Sequence, residues 1–215
     1  MPPRLHTGGR FRAWLGRRLG DEAAGDRLWR RILHGAGALV LAYRPLPTDF
    51  FVVMPKEDVL LLVLGAVLLL ELLRHAAGLS LPTIRPYEER RIASFAVFAI
   101  SLVAAVLLFP WPIAAAVVLG VAIVDPVAGE LRLRNARPAA QWGVPIAAYA
   151  ALATLGSVGL GGWPLAPGLA LSAVAACVAI AVEGPKYRWA DDDLLMTFVP
   201  ALFLYVVGVG LLGLP

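Results

Sequence analysis

An all-α, polytopic integral membrane bundle of about seven transmembrane helices is the fold class this sequence predicts, and three observations predict it. The 215 residues are 60% hydrophobic and 16% charged, with a mean hydropathy of +0.76, whereas a soluble domain holds about 45–50% apolar and about 25% charged residues. The apolar residues gather into seven runs, at 32–43, 59–73, 92–109, 112–124, 142–156, 168–182 and 194–214. The charged residues lie between and at the ends of these runs, where membrane topology demands them.

Residues 1–30 read as a basic cytosolic arm and residues 31–215 as the polytopic membrane domain. In the arm, Phe11, Trp14, Leu15 and Leu19 recur at helical spacing between arginines, which suits either a helix lying on an anionic membrane surface or a disordered basic tail. A signal peptide is excluded, because the basic region is too long and its apolar positions are not contiguous. The first run is the weakest, cut by Arg44-Pro45 and followed by a second apolar patch, Phe50–Met54. Several runs fall short of the roughly 20 residues a span needs, so their flanks complete them or the bilayer thins. Gly156, Gly159, Gly161 and Gly162 read as an external loop. Pro200 is expected to kink the last span, with neighbouring groups satisfying the carbonyl it frees.

With seven spans, only Arg44 and Lys56 fall on one side of the membrane and the other 17 of the 19 basic residues fall opposite. The positive-inside rule then puts the N-terminus in the cytoplasm and the C-terminus outside, and the expected location is the plasma (inner) membrane. Glu88, Glu89, Asp125, Glu130, Glu183, Asp191, Asp192 and Asp193 share the cytosolic face, while the loops near Pro110 and Gly159–Trp163 carry no charge. Polar chemistry at one mouth fits an enzyme or binder of cytosolic ligands; transporters more often bury charge near the midplane.

The sequence pI of about 9.6 does not imply a nucleic-acid partner, because the basic residues are dispersed at span ends rather than clustered on one face. A single cysteine, Cys177, excludes a disulfide framework, and His6, His34 and His75 lack zinc spacing.

Four polar groups remain. The first is VAIVDPVAGELRLR, Val121–Arg134, read as an apolar run ending in an acid-bearing turn with a basic tail. Carboxylates at the mouth of a span are costly unless paired, hydrated or holding a cation. Arginines beside them suit an anionic, metal-bound ligand such as a nucleoside triphosphate. The second is Glu71, one turn before Arg74 and His75: a pair within the helix, or a snorkelling marker of the boundary. Glu88 and Glu89 follow in the same loop, where acids before a helix favour its dipole. The third is His34, three residues after Arg31, a candidate base or phosphate contact, or a packing histidine. The fourth is VEGPKYRWADDDLL, in which three aspartates exceed the needs of an N-cap. With Glu183 and Lys186 nearby they suggest a cation or a metal–phosphate partner.

Taken in order, RRILHGAGAL (30–39), Glu71…Arg74, RPYEERRIAS (85–94), DPVAGELR (125–132) and ADDDLLMTFVP (190–200) resemble the polyprenol kinase family, which includes dolichol kinase, phytol kinase and CTP-dependent diacylglycerol kinases. The resemblance implies a polytopic helical enzyme that phosphorylates a lipid alcohol, with CTP (or ATP) as co-substrate and a divalent cation, Mg2+ in the first instance. Asp125 and Ala128 match the family's Gly-Asp-x-x-Ala segment, with Val124 in place of glycine. Asp191 and Asp192 match its Asp-Asp-Asn segment, with Asp193 replacing asparagine, and His34 matches the histidine of its first helix. The family's lysine-containing Ser/Thr-Glu-Gly stretch is missing, and RNARPAAQWG (134–143) stands there.

The expectation is therefore a seven-span lipid-alcohol kinase. Asp125, Asp191 and Asp192 are the expected metal ligands, Arg132, Arg134 and Lys186 the phosphate-binding residues, and Glu130 or His34 the base. Arg31, Glu71, Arg74, Glu88, Glu89 and Glu183 complete the polar site, and the lipid enters laterally between spans. A CDP-lipid synthase-like nucleotidyltransferase and a catalytically silent lipid-binding protein are the alternatives.

Overall fold

Each of the seven apolar runs lies in a helix of the computed structural model, which describes residues 22–47, 54–78, 91–183 and 191–215. Among the described residues there is no strand. The helices are α1 (Glu22–Gly37, tightening to a 3₁₀ segment over Ala38–Tyr43), α2 (Lys56–Ala77), α3 (Ser94–Leu108), α4 (Trp111–Leu133), α5 (Pro138–Thr154), α6 (Leu165–Glu183) and α7 (Asp192–Phe203). Two widen at their ends into π-helical turns, α5 over Leu155–Leu160 and α7 over Leu204–Leu211. Among the described residues five segments are long and apolar enough to cross a membrane: Lys56–Ala77, Trp111–Leu133, Pro138–Leu160, Leu165–Glu183 and Asp192–Leu211. The apolar helices Arg31–Tyr43 and Ser94–Leu108 are shorter. The basic arm before residue 22, Glu88, Glu89 and Lys186 lie outside the described residues.

Helix α4 is the hub, packing against α1, α3, α5 and α7, with 67% of its most apolar stretch buried against 17% for α2. Its composition makes this possible. Ala114, Ala115, Ala116, Gly120 and Ala122 are small and fully packed, so neighbouring backbones approach closely, the usual way helices associate where no hydrophobic force separates lipid from protein. A Cβ on Gly120 would lie 2.5 Å from the Tyr149 ring, and one on Gly156 only 2.4 Å from the Ala116 amide nitrogen. Gly156 is thus a contact residue inside the π-helical end of α5 rather than the loop residue its neighbourhood suggests. Gly159 lies in the same π-helical end, and the turn begins at Gly161 and Gly162, the latter at φ +77°.

Helix α4 also corrects the expected turn at Asp125. The helix continues through Pro126 to Leu133, because proline forfeits one hydrogen bond to the carbonyl four residues earlier while Ala128, Leu131 and Leu133 favour the helix. It stops at Asn135, whose φ is +49°. There Ala136 N–H donates to Leu131 O at 3.0 Å and Asn135 N–H to Arg132 O at 3.1 Å, a Schellman ending with asparagine at the left-handed position. Asp125, Ala128 and Arg132 therefore share a helical face, three and seven residues apart.

The carbonyl that Pro200 frees is satisfied by a neighbouring group, as expected. Pro200 lies inside α7 and frees the carbonyl of Met196, to which the buried Tyr149 hydroxyl donates at 3.3 Å. The helix keeps its proline because α5 supplies the missing donor.

Helix α2 packs mainly against α3, and Leu61, Leu62, Val63, Leu69, Leu72 and Leu73 are half exposed or more along it, as lipid-facing side chains are. At one end it is fastened by Glu71 and Arg74. The guanidinium donates to the carboxylate twice, Nε to Oε2 at 2.8 Å and an NH2 group to Oε1 at 2.6 Å, and also to Arg91 O at 2.8 Å. Glu71 Oε1 accepts the Ala93 N–H at 2.8 Å. Ala93 is the N-cap residue of α3 and has no side chain that can cap, so Glu71 does from another helix what a capping-box glutamate does from its own. Its charge also suits the helix N-terminus. His75 Nδ1 is 3.7 Å from the same carboxylate. The expected pair is formed, and its second task is to dock α2 onto α3.

Candidate metal centre

Three helices bring His34, Asp125 and Asp193 together at one end of the bundle. On α1, His34 shares its face with Gly37 and Leu41, and the close packing there needs glycine. A Cβ on Gly37 would come within 2.6 Å of the Phe98 ring and 2.7 Å of Leu102, so its absence lets α1 settle onto α3. One turn earlier the His34 ring stacks on Phe98, centroids 4.4 Å apart and planes 24° apart. Asp125 comes from the inward face of α4. Asp193 lies on the face of α7 that also buries Met196, Thr197, Pro200 and Ala201, at the 3, 4, 7 and 8 spacing of an inward stripe.

His34 Nε2 is 3.4 Å from Asp125 Oδ2 and 3.4 Å from Asp193 Oδ1. One ligand atom from each of the three residues lies within 4.8 Å of the others. A single imidazole nitrogen cannot aim one proton at two carboxylates, whereas a cation between the three would satisfy all of them. Adjacent ligands at about 2.1 Å around a tetrahedral or octahedral ion stand about 3.0–3.4 Å apart, so the two His34–carboxylate distances suit a divalent ion. The His34 and Asp193 side chains are 7% exposed and Asp125 is 25% exposed, which leaves the aspartate of α4 as the open side of the cluster.

The arginines of this mouth are committed elsewhere. Arg132 pairs with the buried Glu183 at the end of α6, and its Nε donates to Ala128 O at 3.2 Å. Glu130 accepts from both Arg31 of α1 and Arg134, its neighbour four residues on. Asp125 and Asp193 thus pair with the imidazole of His34 rather than with these arginines. The charges of Asp192 and Arg132 also act on Asp125.

The site differs from the expected one in its partners. Asp125 and His34 converge, but Asp193 joins them rather than Asp191. The Asp191 side chain accepts the Asp193 N–H at 3.1 Å and caps α7, while Asp192 stands beside the cluster. Glu130, an expected base, is held by two arginines. Arg132 and Arg134, the expected phosphate contacts, are held by carboxylates, as is Arg31. The position of Asp193 was legible from its phase with Met196, Thr197 and Pro200.

The opposite end of the bundle is built differently. Arg44 lies over the Trp111 ring at 6.0 Å, Trp111 donates to Leu160 O at 3.0 Å, and Lys56 donates to the Arg44 and Leu46 carbonyls at 3.3 and 3.1 Å, closing the end of α1. No cluster of metal-ligating side chains occurs there among the described residues. Compared with protein-family models, with curated proteins and with solved structures, the chain matches none.

Proposed function

We propose that this chain is a membrane lipid-alcohol kinase of the kind the polyprenol kinases represent, moving the terminal phosphoryl group of a nucleoside triphosphate, CTP or ATP, to the hydroxyl of an isoprenoid or other lipid. The single observation that carries the reading is the meeting of His34, Asp125 and Asp193 from three helices at one mouth of an apolar bundle, ringed by arginines. The resemblance of the motif order supports it: His34 and Asp125, two residues it singles out, converge, and the third member of the cluster is Asp193, where the chain departs from the family's Asp-Asp-Asn segment.

A divalent cation bound there would neutralise triphosphate oxygens and the charge that develops on transfer. The chain's own residues hold and orient. Asp125, the open member of the cluster, faces the side from which a ligand arrives. Each guanidinium has five N–H donors, and a carboxylate engages at most two in a fork. Arg31, Arg132 and Arg134, all partly exposed, therefore keep donors for phosphate oxygens while Glu130 and Glu183 fix their positions. In the transfer the oxygen of the lipid hydroxyl bonds to the γ-phosphorus, the bond to the bridging oxygen breaks, the nucleoside diphosphate leaves and the hydroxyl proton passes to bulk water at the mouth. Such transfer makes its main demand on positioning and charge neutralisation.

The seven-span arrangement belongs to the same reading, with α1 and α3 as short spans completed by their flanks and this mouth facing the cytosol, as the distribution of basic residues requires. In a Cys177→Ala background, cysteines at Leu165 and Arg137 should react with an impermeant maleimide from opposite sides of the membrane. Reaction of both from one side would contradict the topology.

The activity is tested with the purified full chain in lipid nanodiscs, nucleotide labelled at the γ- or the α-phosphate, and a mixture of isoprenoid alcohols and diacylglycerol. The expected product is a lipid carrying the γ-label. A lipid carrying the α-label would establish nucleotidyl transfer instead, and no labelled lipid with either nucleotide would favour a silent lipid-binding protein.

A further inference from the structure

We infer that the cation this chain selects is a transition ion of the Mn2+ class rather than Mg2+, and that His34 makes the choice by direct ligation through Nε2. The inference rests on the cation-dependent reading above and adds the identity of the metal.

The donor set argues for it. Mg2+ takes oxygen ligands, demands near-octahedral geometry and dehydrates reluctantly, so its sites keep several waters and rely on one or two carboxylates. An imidazole nitrogen among the ligands moves preference towards first-row transition ions, and two carboxylates keep the set hard enough for Mn2+. Here the imidazole nitrogen is the third corner of the donor set, 3.4 Å from each carboxylate. Its ring is locked on Phe98, in a contact the missing Cβ of Gly37 allows. His34 and Asp193 are 7% exposed, so two of the three donors lie where a retained hydration shell has little room. Two aspartates and a histidine that ligates as neutral imidazole carry a charge of −2 between them, which one divalent ion matches. Ligation through Nε2 fixes the other tautomer, with the proton on Nδ1.

The test is a Mn2+ titration of the full chain in nanodiscs without nucleotide, read by electron paramagnetic resonance, with pulsed detection of nitrogen bound to the ion. Wild type should bind one tight Mn2+ per chain, show coupling to an imidazole nitrogen, and release the ion only to Mg2+ in more than about tenfold excess. The coupling should persist when His6 and His75 are both replaced by glutamine. His34→Gln should abolish the coupling and lower the Mn2+-over-Mg2+ preference by about tenfold or more, since the nitrogen donor that favours a transition ion is gone. Tight Mn2+ without nitrogen coupling in wild type would overturn the inference while leaving the cation reading intact, and this result needs no variant to fold. An unchanged preference in a folded His34→Gln protein would overturn it too. If Asp125→Asn binds Mn2+ as wild type does, or wild type binds none, the shared cation site itself fails.

Discussion

Asp125→Asn should reduce lipid phosphorylation by about a thousandfold or more while the protein still inserts and folds, a loss of several kcal/mol of transition-state stabilisation of the size a catalytic metal supplies. The substitution preserves the size of the side chain and most of its hydrogen bonding, and Asp125 is a quarter exposed, so packing should change little. What disappears is one of the two charges facing His34. Asp193→Asn should behave similarly, but with some loss of stability because that side chain is buried. The measurement is transfer of the γ-label to lipid, alongside a thermal unfolding curve that verifies folding. Robust transfer by the Asp125→Asn protein would place the chemistry elsewhere.

Arg74→Ala should be the most destabilising single change outside the centre, by about 3–5 kcal/mol, because it leaves the Glu71 carboxylate buried with its main partner gone. Glu71 and Arg74 are 7% and 3% exposed, and their hydrogen bonds to Ala93 and Arg91 tie α2 to the start of α3. Replacing both residues by leucine should recover much of the loss, since a buried pair is weak evidence of net stability while a broken one is costly. Thermal unfolding in detergent checks the series. If Arg74→Ala unfolds at the wild-type temperature, the pair is hydrated and the clip contributes little.

How much of this was legible in the sequence depends on what each inference required. The all-helical class and the positions of the seven apolar runs follow from composition and run length, and the helices fall on those runs. The Glu71–Arg74 pair followed from spacing, but its capping of Ala93 did not, because spacing says nothing of which helix lies alongside. Asp125 was read into a turn because acid, proline and glycine are common where helices stop. In fact α4 runs on to its Schellman ending at Asn135, and it is this continuation that aligns Asp125 with Arg132. The aspartate run shows the remaining difficulty. Successive residues of a helix differ by about 100° in direction, so which of three adjacent acids faces inward is a question of rotational phase. Asp191 caps, and Asp193 turns in with Met196 and Thr197. Likewise the pairing of Arg132 with Glu183 and of Arg31 with Glu130 joins residues far apart in the chain, which no local pattern reports.

One divalent ion shared by α1, α4 and α7 would be seen by anomalous scattering from Mn2+ in crystals of the full chain grown with the ion. One dominant peak bonded to His34, Asp125 and Asp193 together is expected. A peak on other side chains, or no peak between these three at saturating Mn2+, would contradict it.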